Sequence, residues 1–541
     1  MDSVVESRSI VLLSIAAKCS DLTAIRAHLL PVAAAVAACW LAILLLHWAC
    51  PGGPAWGRYY WRSHRRAFGA HHAIPGPRGL PVFGSMGLMS GLAHRKLAAT
   101  AAAIPGARRL MAFSLGETRA VVTCDPDVAR DILNSPAFAD RPASESAYGL
   151  LFHRSIGFAP YGDYWRALRR ISATHLFSPK QVAAFAGHRA AIADQMVRAL
   201  GGRTASRRPI QVRSILKQAA LNHVMWFVFG KQYDVEEDTK ETRELRSLVE
   251  EGYDLLGKLN WSDHLPAIAG LDLQRVRARS SELVGRVERF VTRIIAEHRV
   301  ARAEDSVDSP RDFVDVLLSL QEPENLSDAD MVAILWEMIF RGTDTVAVTI
   351  EWVLARLVMD GEVQARLQAE LDAAAAAAQA KMVVPYLEAV IKETLRVHPP
   401  GPLMSWARMA MEDVTVGGSI VPAGTTAMVN MWAIARDPAV WPNPLRFDPD
   451  RFVDGPAAEF SVMGSDLRLA PFGAGRRGCP GKGLAMATVE LWVAALVQEF
   501  EWLPASAEGG VDQSEVLRLS CEMAAPLTVQ LRHRRLPETQ P

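Results

Sequence analysis

Residues 472–481 read FGAGRRGCPG, and Cys479 is the side chain that this run equips for chemistry. Glycines 473, 475 and 478 let the backbone turn sharply and pass close to a flat object. A thiolate in such a loop can accept backbone N–H bonds, which favours its charged form. Pro480 fixes the chain after it, and Arg476 and Arg477 offer partners for carboxylates. The chemistry open to this thiolate is metal ligation. On haem iron, a thiolate pushes electron density toward bound dioxygen and favours O–O cleavage. The other cysteines (19, 39, 50, 124 and 521) are scattered and form no C-x-x-C pair. That spacing excludes a zinc finger or ribbon and argues against a disulfide framework. The soluble part reads as reduced and cytosolic.

A second constellation lies inside a long apolar run. Ser327 and Asp330 give an S-x-x-D helix start, and residues 327–359 then read as one helix, apolar nearly all round. Such a helix must cross the interior. In its middle sit Gly342, Asp344 and Thr345. Glycine there costs about 1 kcal/mol against alanine, and a buried acid and hydroxyl cost more unless they have partners. A further pair, Glu393 and Arg396, shares one helix face at i, i+3, and Trp165 and Arg169 share another at i, i+4. Taken alone, the first pair is an ordinary solvated ion pair and Trp165 an ordinary core residue.

These residues need elements to hold them. Helical periodicity covers residues 163–176, 280–301 and 385–397. Residues 108–115 and 118–124 flank Gly116-Glu117 as a hairpin, and 414–416 and 419–421 flank Gly417-Gly418 as another. The class is mostly α with a smaller β portion. No linker splits the chain after about residue 90. Half of the 541 residues are apolar and 22% are charged, which suits a large core. Acidic and basic residues balance at 59 each, so bulk charge gives no support to nucleic-acid binding.

Residues 29–50 carry no Asp, Glu, Lys or Arg, and about 20 apolar residues suffice to span a bilayer as a helix. Arg58, Arg62, Arg65 and Arg66 follow the span, which puts its C-terminal side in the cytosol by the positive-inside rule. Pro75, Pro77 and Pro81 then stiffen a turning connector. The expected order is a tail (1–28), a transmembrane anchor (29–50), a basic and proline-rich connector (51–84) and a catalytic domain (85–541).

Together these motifs resemble the cytochrome P450 family over nearly the whole chain. F-x-x-G-x-R-x-C-x-G, its haem-binding loop, is matched at Phe472, Gly475, Arg477, Cys479 and Gly481. Glu393 and Arg396 match its E-x-x-R, and Arg451 in PDRF its P-x-R-F. The resemblance implies the P450 fold with an N-terminal transmembrane helix, and haem b with Cys479 as iron ligand. It implies a buried triad of Glu393, Arg396 and Arg451, and propionate contacts from Trp165, Arg169, Arg408 and Arg477. RGTDT at 341–345 resembles the oxygen-activating A/G-G-x-D/E-T motif, with Gly342 opening a groove for dioxygen and Asp344 and Thr345 relaying protons. Arg341 departs from the family's Ala or Gly; it would either narrow the pocket or bond a substrate carboxylate. Val346 replaces a frequent second threonine, and the alanine-rich segment 373–384 is shorter than the family's usual connection.

FRGTDTVA, HPPGPLMSWARMA, VPAGTTAMVNMWAIARDP and APFGAGRRGCPGKGLA resemble the plant subfamily that contains KLUH and the plastochron protein. That resemblance implies an endoplasmic-reticulum enzyme with a role in organ growth or leaf initiation. It implies monooxygenation of a hydrophobic small molecule, a fatty acid or another lipid, with NADPH electrons from NADPH-cytochrome P450 reductase. The alternatives are a reductase-independent P450 that rearranges lipid peroxides and a non-catalytic haem protein; neither needs Asp344 and Thr345. The substrate pocket is expected from residues 140–160, the central helix near Trp336 and Phe340, residues 403–406 and the turn near 521–523.

Overall fold

The computed structural model describes residues 31–64, 73–204, 208–304, 312–321, 326–377, 384–404, 407–455, 457–464, 466–506 and 510–534. The tail 1–28, Arg65, Arg66, Trp406 and residues 378–383 of the alanine-rich segment lie outside these. Helices dominate, with four small sheets among the described residues.

The central helix runs Asp328–Met359, and Ser327 caps it by accepting the Asp330 N–H at 3.2 Å. Its apolar circumference is buried as the pattern requires. It packs along the helix Arg213–Phe229 on one side and touches Lys482–Glu499 and Pro385–Val397 on others. Gly342 permits the first of these approaches: a Cβ there would lie 2.6 Å from Val224 Cγ2. Trp352, Trp492 and Trp502 are fully buried in the largest apolar cluster, beside the C-terminal half of the central helix.

The main sheet has four strands, ordered Met111–Leu115, Thr118–Thr123, Thr426–Val429 and Arg408–Met409. The first pair is the expected hairpin, antiparallel with Met111 opposite Val122. Thr118–Thr123 then runs parallel to Thr426–Val429, which pairs antiparallel with the two-residue strand that carries Arg408. Val414–Val416 and Ser419–Val421 form the second expected hairpin.

Near the N-terminus, Pro31–Trp48 is a helix long and apolar enough to cross a membrane, and none of it is buried against the protein. The stretch after it is less of a free connector than its prolines suggest. Pro54–His64 is a helix, and Trp56 is fully buried with its indole N–H between Phe113 O and Ala120 O. The apolar helix is therefore tied to the sheet at its end.

Candidate active site

The cysteine loop is built by its glycines. Gly473 and Gly475 take φ of +69° and +67°, and a Cβ on Gly475 would stand 2.0 Å from Leu133 O. Cys479 N donates to Phe472 O at 2.9 Å and Gly478 N to Gly475 O at 3.0 Å, which closes the turn. Cys479 lines one large internal cavity, together with Phe472, Gly473, Gly478 and Gly481. Cys479 is exposed where it borders that space. Burial pushes its thiol pKa up, while Arg341, the Gly481 N–H, Arg169 and Lys482 pull the other way. A buried cysteine, Cys521, sits with His94 and Glu515 and is not part of this lining.

Opposite the loop, the central helix presents Glu337, Met338, Arg341, Gly342, Thr345, Val346 and Thr349. The lining falls near Trp336 and Phe340, on the residues beside them. Trp336 and Phe340 are fully buried against Phe152 and Tyr253, and the next residues, Glu337 and Arg341, face the cavity. A helix apolar all round carries no moment to tell one face from the next. Leu519 and Ser520 line the cavity where 521–523 were expected, and Met404 contributes from 403–406.

Asp344 and Thr345 diverge. Thr345 lines the cavity, whereas Asp344 is buried behind it and pairs with Lys217 Nζ at 3.3 Å. Lys217 also lies 3.4 Å from Glu522 and keeps a quarter of its side-chain surface exposed. Burial raises the Asp344 pKa, only partly offset by Lys217. Lys217 was not found from sequence, since 127 residues separate it from its partner.

Arginines crowd the cavity: Arg141, Arg169, Arg341, Arg408 and Arg477 all line it. Arg408 Nη1 is buried without a hydrogen bond. Burial, then Arg477 and Arg169, pushes the Arg408 pKa down to about 9. Arg141, an arginine the motifs did not single out, is driven well down by burial and by Arg408 and Arg477. Buried like charges with an orphaned donor want anions. The two propionates of a haem meet that need, and the glycines of the cysteine loop leave room for a flat ring. The residues present fit the group.

Two of the expected propionate contacts are engaged elsewhere. The Trp165 indole N–H donates to Ile156 O at 3.0 Å, so the ring lines the cavity without a free donor. Arg477 donates to Ala139 O, Ile156 O and Ala159 O and stacks on Trp165, with its guanidinium carbon 4.5 Å from the ring centre. Arg169 reaches Gly478 O at 3.0 Å. Arg408 Nη1 is a donor still to be matched.

Outside the cavity, Glu393, Arg396 and Arg451 meet in the interior. Arg396 grips Glu393 with two bonds of 2.7 Å, and Arg451 Nε reaches Glu393 Oε1 at 3.2 Å. Both arginines also bind carbonyls of the 435–446 segment, including Ala435 O, Pro444 O and Pro442 O.

The sequence profile of the cytochrome P450 family matches residues 74–521. With the thiolate loop, the glycine–threonine helix face and the arginine-rich cavity already in place, the chain belongs to the cytochrome P450 family and is a haem-thiolate monooxygenase. Its relatives set it among the plant cytochromes P450 78A. It is 57% identical to cytochrome P450 78A9 of Arabidopsis thaliana over 97% of this chain and 98% of that protein. It is 57% identical to cytochrome P450 78A3 of Glycine max, covering 92% and 94%. Flavonoid 3'-monooxygenase of Arabidopsis thaliana is more distant, at 33% over 88% and 94%. A zebra fish cytochrome P450 of known structure shares the fold, with a TM-score of 0.66 at 23% identity, covering 82% of this chain and all of that one.

Proposed function

We propose that the chain inserts one oxygen atom from dioxygen into a fatty acid or another lipid, using NADPH electrons from NADPH-cytochrome P450 reductase. The observation that carries this reading is one cavity with Cys479 on one wall and Gly342 and Thr345 on another, otherwise largely apolar. Haem b, when bound, supplies the activation of dioxygen. Cys479 is the residue to hold its iron, and Arg169 and Arg408 are the residues to meet its propionates. Arg477 and Trp165 brace those contacts from behind. Thr345 holds a proton at the cavity surface, and Asp344, between Thr345 and the partly exposed Lys217, hands protons inward from solvent. The apolar wall binds the hydrocarbon and excludes water.

In this reading residues 29–50 anchor the chain once in the endoplasmic-reticulum membrane, 51–84 connect, and 85–541 form a cytosolic catalytic domain. Electrons enter from the reductase on the face behind Cys479. The product acts in the control of plant organ growth or leaf initiation, the setting implied by the likeness to the KLUH subfamily.

The test is product analysis in microsomes that contain the chain and a plant reductase. NADPH and a series of medium- and long-chain fatty acids are supplied, with Cys479→Ser as the blank. Hydroxylated acids absent from the blank are expected. No product from any acid, with the thiolate haem spectrum intact, overturns the fatty-acid reading and moves the search to other plant lipids and terpenoids.

A further inference from the structure

Behind one wall of the cavity, three side chains from distant parts of the chain meet, and oxygen chemistry uses none of them. His94 comes from the helix Ala93–Ala103, and Glu515 and Cys521 come from the paired strands Glu515–Leu517 and Cys521–Met523. One imidazole nitrogen, one carboxylate oxygen and the thiol sulfur all lie within 4.8 Å of one another. His94 is fully buried, and neither of its ring nitrogens has a hydrogen-bond partner. The residue is nevertheless held in place. Asn430 Nδ2 donates to His94 O at 2.7 Å, and Trp432 meets the imidazole edge-on with ring centres 5.3 Å apart. A buried imidazole ordinarily bonds through at least one nitrogen. Nε2 of His94 stands 3.7 Å from Glu515 Oε2, beyond hydrogen-bond length. Two ligand atoms about 2.0–2.1 Å from one tetrahedral ion stand about 3.4 Å apart, so the observed spacing needs little adjustment to hold one.

Glu515 is aimed by its neighbours. Arg356 Nε donates to His398 Nε2 at 3.0 Å, which leaves the His398 proton on Nδ1. That Nδ1 lies 3.1 Å from Glu515 Oε1 and donates to it. His398 is itself fixed by stacking on Trp352, with ring centres 3.7 Å apart. A carboxylate braced through one oxygen presents the other in a set direction, as the outer partners of metal ligands do. Arg95 reaches Oε2 at 2.5 Å, but its side chain is 45% exposed, so it can turn to water when an ion takes that oxygen.

The donor set selects the ion. One nitrogen, one oxygen and one sulfur suit a borderline ion of the zinc class, whereas calcium and magnesium take oxygen alone. The thiol of Cys521 is kept protonated by burial and by Glu515. A coordinating metal displaces that proton, and thiolate plus carboxylate then neutralise a divalent charge in a dry setting. Three protein ligands leave the fourth corner of a tetrahedron to water.

We infer that His94, Glu515 and Cys521 form a second metal site, separate from the haem, that binds one zinc-class divalent ion, with His398 as the positioning residue for Glu515. The ion would staple the 515–523 hairpin to the helix Ala93–Ala103. That hairpin carries Leu519 and Ser520 into the cavity wall, and Cys521 N donates to the wall residue Pro400 at 2.9 Å. The staple therefore fixes one side of the substrate cavity from behind.

The experiment uses the full-length chain in phospholipid nanodiscs, loaded with haem so that iron occupies Cys479. The protein is treated with a chelator, desalted, titrated with zinc sulfate alone and desalted again. Zinc and iron are then counted by elemental analysis, and the zinc environment is read by X-ray absorption. One zinc per haem iron is expected, with one sulfur neighbour and the rest nitrogen or oxygen. Cys521→Ser and His94→Gln are each expected to lower zinc affinity at least about a hundredfold, and His398→Gln about tenfold. Cys124→Ser, a buried cysteine elsewhere, is expected to bind as the wild type does. Zinc is expected to raise the unfolding midpoint of the wild type and to leave Cys521→Ser unmoved.

The thiolate carbon monoxide spectrum certifies the fold of each variant. Where a variant fails to load haem, the sulfur neighbour in the wild type decides. Zinc that washes out of the wild type, or that is held without a sulfur neighbour, overturns the inference. Zinc retained equally by Cys521→Ser and His94→Gln overturns it too, since such an ion sits elsewhere. Magnesium retained as well as zinc would also contradict it.

Discussion

At the scale of single residues, the division between Thr345 and Asp344 matters most for mechanism. Thr345 faces the cavity, and Asp344 is held behind it by Lys217. Thr345→Ala is expected to cut hydroxylated product per NADPH by about tenfold or more, with the lost electrons recovered as hydrogen peroxide. Peroxide release equal to wild type would remove Thr345 from proton delivery. Asp344 gives a pH dependence with a definite sign. Burial raises its pKa and Lys217 lowers it. Coupled turnover that needs the protonated acid fails as pH rises through that pKa. Lys217→Met removes the lowering influence, so the alkaline limb of the coupling profile is expected to move to higher pH. A limb that stays put, or moves down, would show that Lys217 does not govern Asp344. None of this pairing was legible in the sequence, where Asp344 is a polar residue in an apolar run and Lys217 an unremarked cation on another helix.

At the scale of elements, the chain's punctuation was readable and its facing was not. Ser327 announced the start of the central helix, and the Gly116-Glu117 and Gly417-Gly418 turns announced two hairpins, because caps and tight turns are set by local chemistry. The strands Phe500–Pro504 and Thr528–His533 gave no such signal, since they pair with each other across 25 to 33 residues. Which residues near Trp336 and Phe340 face the cavity was not legible for a related reason: neighbours on other helices decide which side of an all-apolar helix is hollow. The buried Glu393–Arg396–Arg451 cluster is an element-scale clamp, joining the helix Pro385–Val397 to the 435–452 segment. Arg396→Ala strands a fully buried carboxylate and is expected to cost about 3–5 kcal/mol, seen as a fall in the unfolding midpoint and in haem-loaded yield. A change under about 1 kcal/mol would mean the cluster is not a clamp. Gly475→Ala puts a Cβ against Leu133 O at a positive φ and is expected to abolish haem incorporation, even though the added group is one methyl.

At the scale of the whole molecule, the apolar helix Pro31–Trp48 meets the folded body at a short junction. Trp48 donates to Gly79 O at 2.7 Å, and a Cβ on Gly57 would meet His47 O. Removing residues 1–45 leaves that junction and is expected to loosen membrane attachment while the haem spectrum persists. Loss of haem on that truncation would assign the segment to the core. The central claim is that Cys479 is the thiolate on the iron, and the most direct test is the carbon monoxide difference spectrum of the reduced full-length protein. Cys479→Ser is expected to lose the thiolate-type Soret band, and Cys521→Ser, which changes a buried cysteine outside the cavity lining, to keep it. An unchanged band in Cys479→Ser would contradict the account at its root.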